Sequence, residues 1–120
     1  MQGKYAEGFN TQLINLFKEL TKMYPTNKDF KLIKSQIMIL SQTSTYEIPV
    51  QTFELNISCF RDQIRTKDEN FFLNFNLAGT PLSDLNYLKE IWTTVDETTK
   101  NAMWRYFLIL DKLSEKYNSL

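Results

Sequence analysis

Histidine is absent from this 120-residue chain, and cysteine occurs once, as Cys59. Without imidazole the chain lacks the commonest general base near neutral pH and the commonest metal ligand. One cysteine can form neither an internal disulfide nor a multi-cysteine zinc site. Charge of a prevailing sign is missing too. Fourteen Lys and Arg balance fourteen Asp and Glu, whereas polyanion binders that work by counterion release usually carry a basic excess. Residues 1–66 hold eight basic and six acidic side chains, and residues 67–120 hold six and eight. Neither half reads as a basic arm or an acidic tail. Gly-rich phosphate loops, nucleophile elbows, zinc spacings and kinase-type signatures are all lacking. Residues 1–8 have no apolar signal core, Gly3 is not placed for myristoylation, and no apolar run approaches a membrane span. These absences predict an intracellular, non-enzymatic protein with no cofactor, no metal site, no small-molecule substrate and no membrane span.

Apolar periodicity is present in abundance. Phe9, Leu13, Leu16, Phe17, Leu20 and Tyr24 recur at steps of three and four, predicting a first helix that ends at Pro25. Asn27 reads as the N-cap of a second helix, with Asp29 in its first turn and a stripe of Phe30, Ile33, Ile37 and Leu40. Leu32, Met38 and Ile39 widen that stripe, which predicts a helix enclosed on several sides. Pro49 suits a first turn. Phe53, Ile57, Phe60 and Ile64 favour one continuous third helix over a strand at residues 50–57. Residues 68–74 read as a short helix or as a loop pinned by aromatics. Thr80 and Pro81 then look like the cap and first turn of a helix carrying Leu85, Leu88, Trp92 and Val95. Thr94-Val-Asp-Glu97 matches a capping box ahead of a last helix bearing Met103, Tyr106, Phe107, Leu110, Leu113 and Tyr117. That helix is the expected centre. The fold class is all-α, a compact single-domain bundle of five to six helices spanning residues 1–120.

The polar residues suggest little chemistry. Asp68-Glu69 and Asp96-Glu97 stand at helix starts, where carboxylates complement the helix dipole. Cys59 would need an electropositive neighbour such as Arg61 or Arg65 to react, and reads as a buried structural thiol. Seventeen aromatic rings are many for a small bundle to hide, which points to binding through exposed aromatic surface. Phe71, Phe72, Phe75, Trp104 and Tyr106 are the candidate protein-binding residues, for a protein partner or self-association. Lys22, Lys28, Lys31 and Lys34, interleaved with Tyr24 and Phe30, form an alternative nucleic-acid face. A further alternative is a groove that captures host signalling or cell-death helices.

Three segments also carry a resemblance. They are Phe9-Asn-Thr-Gln-Leu-Ile-Asn-Leu-Phe17 followed by Tyr24-Pro25, then Lys67-Asp-Glu-Asn-Phe-Phe72, then Leu88-Lys-Glu-Ile-Trp92 leading to Trp104-Arg-Tyr-Phe-Leu-Ile-Leu110. In this order they resemble small all-helical proteins encoded by large DNA viruses of algae and protists. The Asn-, Lys- and Ile-rich composition suits such AT-rich genomes. The resemblance implies a minor virion component or adaptor, acting in the host cytoplasm or the particle. It implies no catalytic residue.

Overall fold

The 22-residue helix α1, Gln2–Met23, is the surface on which the others assemble. Its core side chains Ala6, Phe9, Leu13, Leu16, Phe17 and Leu20 are almost completely buried, and their three- and four-residue spacing gathers them into one broad stripe. A computed structural model describes residues 2–57, 60–74 and 87–119. The other helices are α2 (Lys28–Leu40), α3 (Ile48–Ile57), α4 (Arg61–Arg65), α5 (Glu69–Asn74), α6 (Tyr87–Trp92) and α7 (Glu97–Asn118). The described residues contain no strand, so the fold is an all-α bundle.

Helix α1 packs against α2, α3 and α7, while α7 packs in turn against α3 and α4. The centre is therefore shared between the first and last helices. Phe9 meets Phe53 of α3 edge to face at 5.4 Å, and Phe17 meets Phe30 of α2 at 6.2 Å. At the far end of the core, Phe72, Trp92, Trp104 and Phe107 form a contiguous ring cluster with centroid spacings between 4.7 and 6.1 Å. Such edge and tilted contacts suit the quadrupoles of aromatic rings.

Several helix ends follow their expected chemistry. Asn27 caps α2, its side chain accepting from the N–H groups of Asp29 and Phe30. The stretch left open between helix and loop is helix α5, and Asp68 Oδ1 accepts from the Phe71 N–H at 3.0 Å. Between α4 and α5, Lys67 adopts φ 57°. Its N–H reaches Ile64 O, and the Asp68 N–H reaches Gln63 O at 2.8 Å. This is the paired bonding of a left-handed helix stop.

Two local expectations are corrected. The stripe through Ile64 is divided between α3 and α4, with Phe60 preceding α4. The cap of α7 is Asp96, which accepts from the Thr99 N–H at 2.8 Å. Thr94 instead turns its hydroxyl back to Ile91 O at 2.7 Å, closing α6. Serving that carbonyl takes Thr94 away from the capping box. The Thr80–Pro81 pair and Cys59 lie outside the described residues.

Gly8 sits inside α1, where a Cβ would meet Leu113 of α7 at 3.6 Å, an ordinary van der Waals contact. Glycine in a helix interior costs roughly 0.5–1 kcal/mol relative to alanine. Gly8→Ala should therefore stabilise the protein by about that amount in urea unfolding. A loss of stability would show that α1 and α7 approach more closely here than this structure has them.

Candidate functional site

The largest polar assembly lies where α3 and α4 meet α7. Asp111 is 1% exposed. Its Oδ2 accepts from Arg65 Nε at 3.2 Å, and its Oδ1 lies 2.9 Å from Arg61 Nε without the alignment of a hydrogen bond. Arg61 Nη2 donates to Glu54 Oε2 at 2.7 Å, Ser114 Oγ donates to the same oxygen at 2.5 Å, and Arg65 Nη2 donates to Glu115 at 2.8 Å. Burial pushes the Asp111 carboxyl above the usual range, against the pull of Arg61 and Arg65. Glu115 is held low, chiefly by its bond to Arg65. Three carboxylates thus surround two guanidiniums, and each cation joins separate helices.

This assembly does not have the form of a catalytic centre. Ser114 is fully buried, so its hydroxyl has no path to a substrate, and its carboxylate partner already holds Arg61. Among the described residues, no three His, Cys, Asp or Glu side chains are grouped to hold a metal. No described helix is long and apolar enough to cross a membrane. Sequence reasoning missed the cluster. Its signal was Asp111 and Ser114 at core-facing positions beside Leu110 and Tyr117, where an uninterrupted stripe would be apolar.

Of the predicted aromatic surface, one described ring is buried and three are half-buried. Trp104 is 5% exposed and belongs to the buried core. This corrects its expected role as a surface anchor, because the ring is already satisfied by Phe72, Trp92 and Phe107. Phe71 and Phe72 are half-buried against the core, with Phe71 on Phe60 at 5.0 Å. Tyr106 is also half-buried, and desolvation raises its pKa. Phe75 lies outside the described residues.

Exposed large apolar side chains occur singly on α1 (Met23), α3 (Leu55) and α7 (Ile109), and are grouped only on α2. Leu32 is 57% and Ile39 68% exposed, and Met38 is exposed as well. This corrects the expectation of a helix enclosed on several sides. Among the described residues only α1 makes an extensive interface with α2, so Phe30 and Ile33 are buried while the opposite face is exposed. Lys28, Leu32, Ser35 and Ile39 follow one another at steps of four, three and four, which places them along a single strip. An open hollow at the start of that strip is lined by Pro25, Asn27, Lys28, Lys31, Leu32 and Ser35.

Of the four candidate basic residues, Lys22, Lys28 and Lys31 are exposed and Lys34 is half-buried. None is ion-paired to a described carboxylate. The aromatics interleaved with them point elsewhere. Phe30 is completely buried, and Tyr24 packs on it at 6.0 Å. Leu55 on α3 is more exposed than either α2 residue, but its neighbour one turn earlier, Gln51, is polar. It forms no strip.

No protein-family profile, curated protein or solved structure matches this chain.

Two outcomes test the electrostatics. Removing one partner of a buried ion pair costs about 3–5 kcal/mol because it strands the other charge. Asp111→Ala should accordingly lose about 3 kcal/mol in chemical denaturation, far more than Glu115→Ala at the exposed end of the network. The second concerns Glu69, whose pKa is lowered by hydrogen bonds from Lys100 and from the Trp92 indole. A folded-state pKa below the unfolded one gives stability that is present above the unfolded value, near 4.3, and lost as pH falls through the folded value. The Trp92 indole N–H resonance should titrate with a midpoint below that of an unperturbed glutamate. Glu69→Gln should abolish that step and flatten the acid limb of stability.

Proposed function

We propose that this protein is a non-enzymatic interaction module that docks onto another protein through the outer face of α2. The observation that carries the reading is the exposure of Leu32 and Ile39 on one strip of a helix whose opposite face is the one covered by the described residues. Isolated exposed leucines are ordinary on protein surfaces. Two large aliphatic side chains aligned two turns apart, beside a concave hollow, are the anchor spacing of helix-in-groove recognition. The absence of histidine and the inward use of Ser114 and the carboxylates favour binding over catalysis. The setting we propose follows the resemblance to algal and protist virus proteins. It is an adaptor or minor particle component, in the host cytoplasm or the virion.

The nucleic-acid reading has one observation in its favour, the unpaired lysines of α2. It lacks a stacking platform, because Phe30 and Tyr24 are engaged with the core. Base stacking on exposed rings supplies much of the affinity of single-strand binders.

Pull-down of the tagged full chain from native lysate, with and without nuclease, tests the proposal when wild type is compared with Leu32→Glu/Ile39→Glu. The expected result is a nuclease-resistant partner that the double variant loses, with circular dichroism unchanged. Each anchor should be worth about 2 kcal/mol or more if it is a hot spot. Retention of every partner by the double variant would sink the α2 assignment, and loss of all partners on nuclease treatment would transfer it to the lysines.

A further inference from the structure

We infer that residues 61–74 form a strap fastened to the rest of the bundle chiefly by charge, which opens as one unit while α1, α2, α3 and α7 stay folded. This device is independent of what docks on α2.

The placement of the ion pairs carries it. Among the described residues, every ion pair between helices has one end on α4 or α5. Arg61 meets Glu54 of α3 and Asp111 and Glu115 of α7, Arg65 meets Asp111 and Glu115, and Glu69 meets Lys100 of α7. The other described pair, Lys100 with Glu97, lies within α7. Helix α1 meets α2, α3 and α7 without a described ion pair, through side chains such as Phe9, Leu13 and Phe17 that are almost completely buried.

Apolar anchorage has the opposite distribution. Helices α1 and α7 each bury seven residues, whereas α4 buries Ile64 alone and α5 buries none. Phe72 holds α5 from a half-buried position, 4.7 Å from the Trp92 ring and 5.3 Å from that of Phe107. The turn bonds of the segment close on itself: the N–H groups of Thr66, Lys67, Asp68 and Phe72 reach Asp62, Ile64, Gln63 and Asp68. Detachment therefore breaks no backbone bond to another described element. Lys67, at φ 57°, holds a left-handed conformation that is costly for a residue with a Cβ, and opening releases it. Once detached, helices of five and six residues cannot sustain their own hydrogen bonds, so the strap melts as it leaves. Opening uncovers the faces of Trp92, Trp104 and Phe107 that Phe72 meets.

The test is native-state amide exchange of the isotopically labelled full chain in increasing, sub-denaturing urea. The Thr66 and Asp68 N–H groups report on α4, and those of Phe71 and Phe72 on α5. These four should exchange about tenfold or more faster than the slowest amides of α1 and α7, through one shared opening of small urea dependence. Arg65→Gln removes a fastening of α4 and Glu69→Gln one of α5, and each should speed all four amides together by about fivefold. Ile33→Val, at the α1–α2 contact, should speed the slowest amides and leave these four unchanged, because the strap opens with that contact intact. A urea dependence equal to that of α1 and α7, with the four amides responding to Ile33→Val, would show one cooperative unit and no strap. Acceleration confined to Thr66 and Asp68 in Arg65→Gln and to Phe71 and Phe72 in Glu69→Gln would show two helices fraying separately. An unchanged rate at all four amides in both variants would remove charge as the fastening. Each of these three results overturns the device.

Discussion

The finite width of one apolar stripe governs this fold. Helix α1 gathers Phe9, Leu13, Leu16, Phe17 and Leu20 onto a single face, and three helices compete for it. Helix α7, equally long, takes the largest share, and α3 meets the same stripe through Phe9 and Phe53. Helix α2 meets α1 at Phe17 and Phe30 and gains no second extensive neighbour among the described residues. Burial of its outer leucine and isoleucine would require a further layer that the described residues do not build. Partial coverage of α2 is thus a consequence of how the core is shared, and the candidate surface follows from it.

The second half of the chain solves a different problem. Helices α4 and α5 have five and six residues, too short to hold themselves by helix propagation alone. Helix α4 contributes one buried aliphatic residue, Ile64, and is tied down mainly by Arg61 and Arg65. Placing Asp111 in the core is costly, since burial opposes its charged form. The neighbouring guanidiniums offset that cost, and their separate partners Glu54 and Glu115 fix the angle at which α4 lies on α7. A purely apolar contact of this size would leave that angle less defined. At the opposite end, Tyr117 plays a similar part: its hydroxyl donates to Glu47 at 2.7 Å and accepts from Gln51 at 3.0 Å, while its carbonyl accepts from Gln2.

What the sequence made legible was local. The stripe of α1, the Asn27 cap and the helical class all follow from three- and four-residue spacing and from side-chain reach over one turn. Pairing between helices was not legible, because an apolar residue looks the same whether a neighbour covers it or water does. That is why Leu32 and Ile39 read as enclosed, and why Trp104 read as a surface anchor although Phe72 and Trp92 surround it. The Asp96 cap was misplaced by two residues for a related reason. Thr94 and Asp96 both fit a capping pattern, and the Ile91 carbonyl that claims the Thr94 hydroxyl is specified by where α6 ends. Asp111 and Ser114 did carry a signal, being polar at core spacing, but their partners on α3 and α4 lie 46 to 60 residues away.

Zero net charge is compatible with a charged binding surface, because pairing distributes charge unevenly. Acidic residues here are drawn inward and toward arginine: Glu54 and Asp111 are largely withdrawn from solvent, and Glu115 and Glu69 are committed to Arg65 and Lys100. Three carboxylates gathered on two arginines leave the remainder of the chain with one more cation than anion. The lysines of α2 stand on a helix that packs extensively on α1 alone among the described residues, and no described carboxylate pairs with them. The lack of a second extensive neighbour exposes Leu32 and Ile39, whereas unpaired lysines such as Lys28 and Lys31 also occur on the well-packed α1 and α7. Leu32 and Ile39 stay exposed because α1 is the one extensive partner of α2 among the described residues.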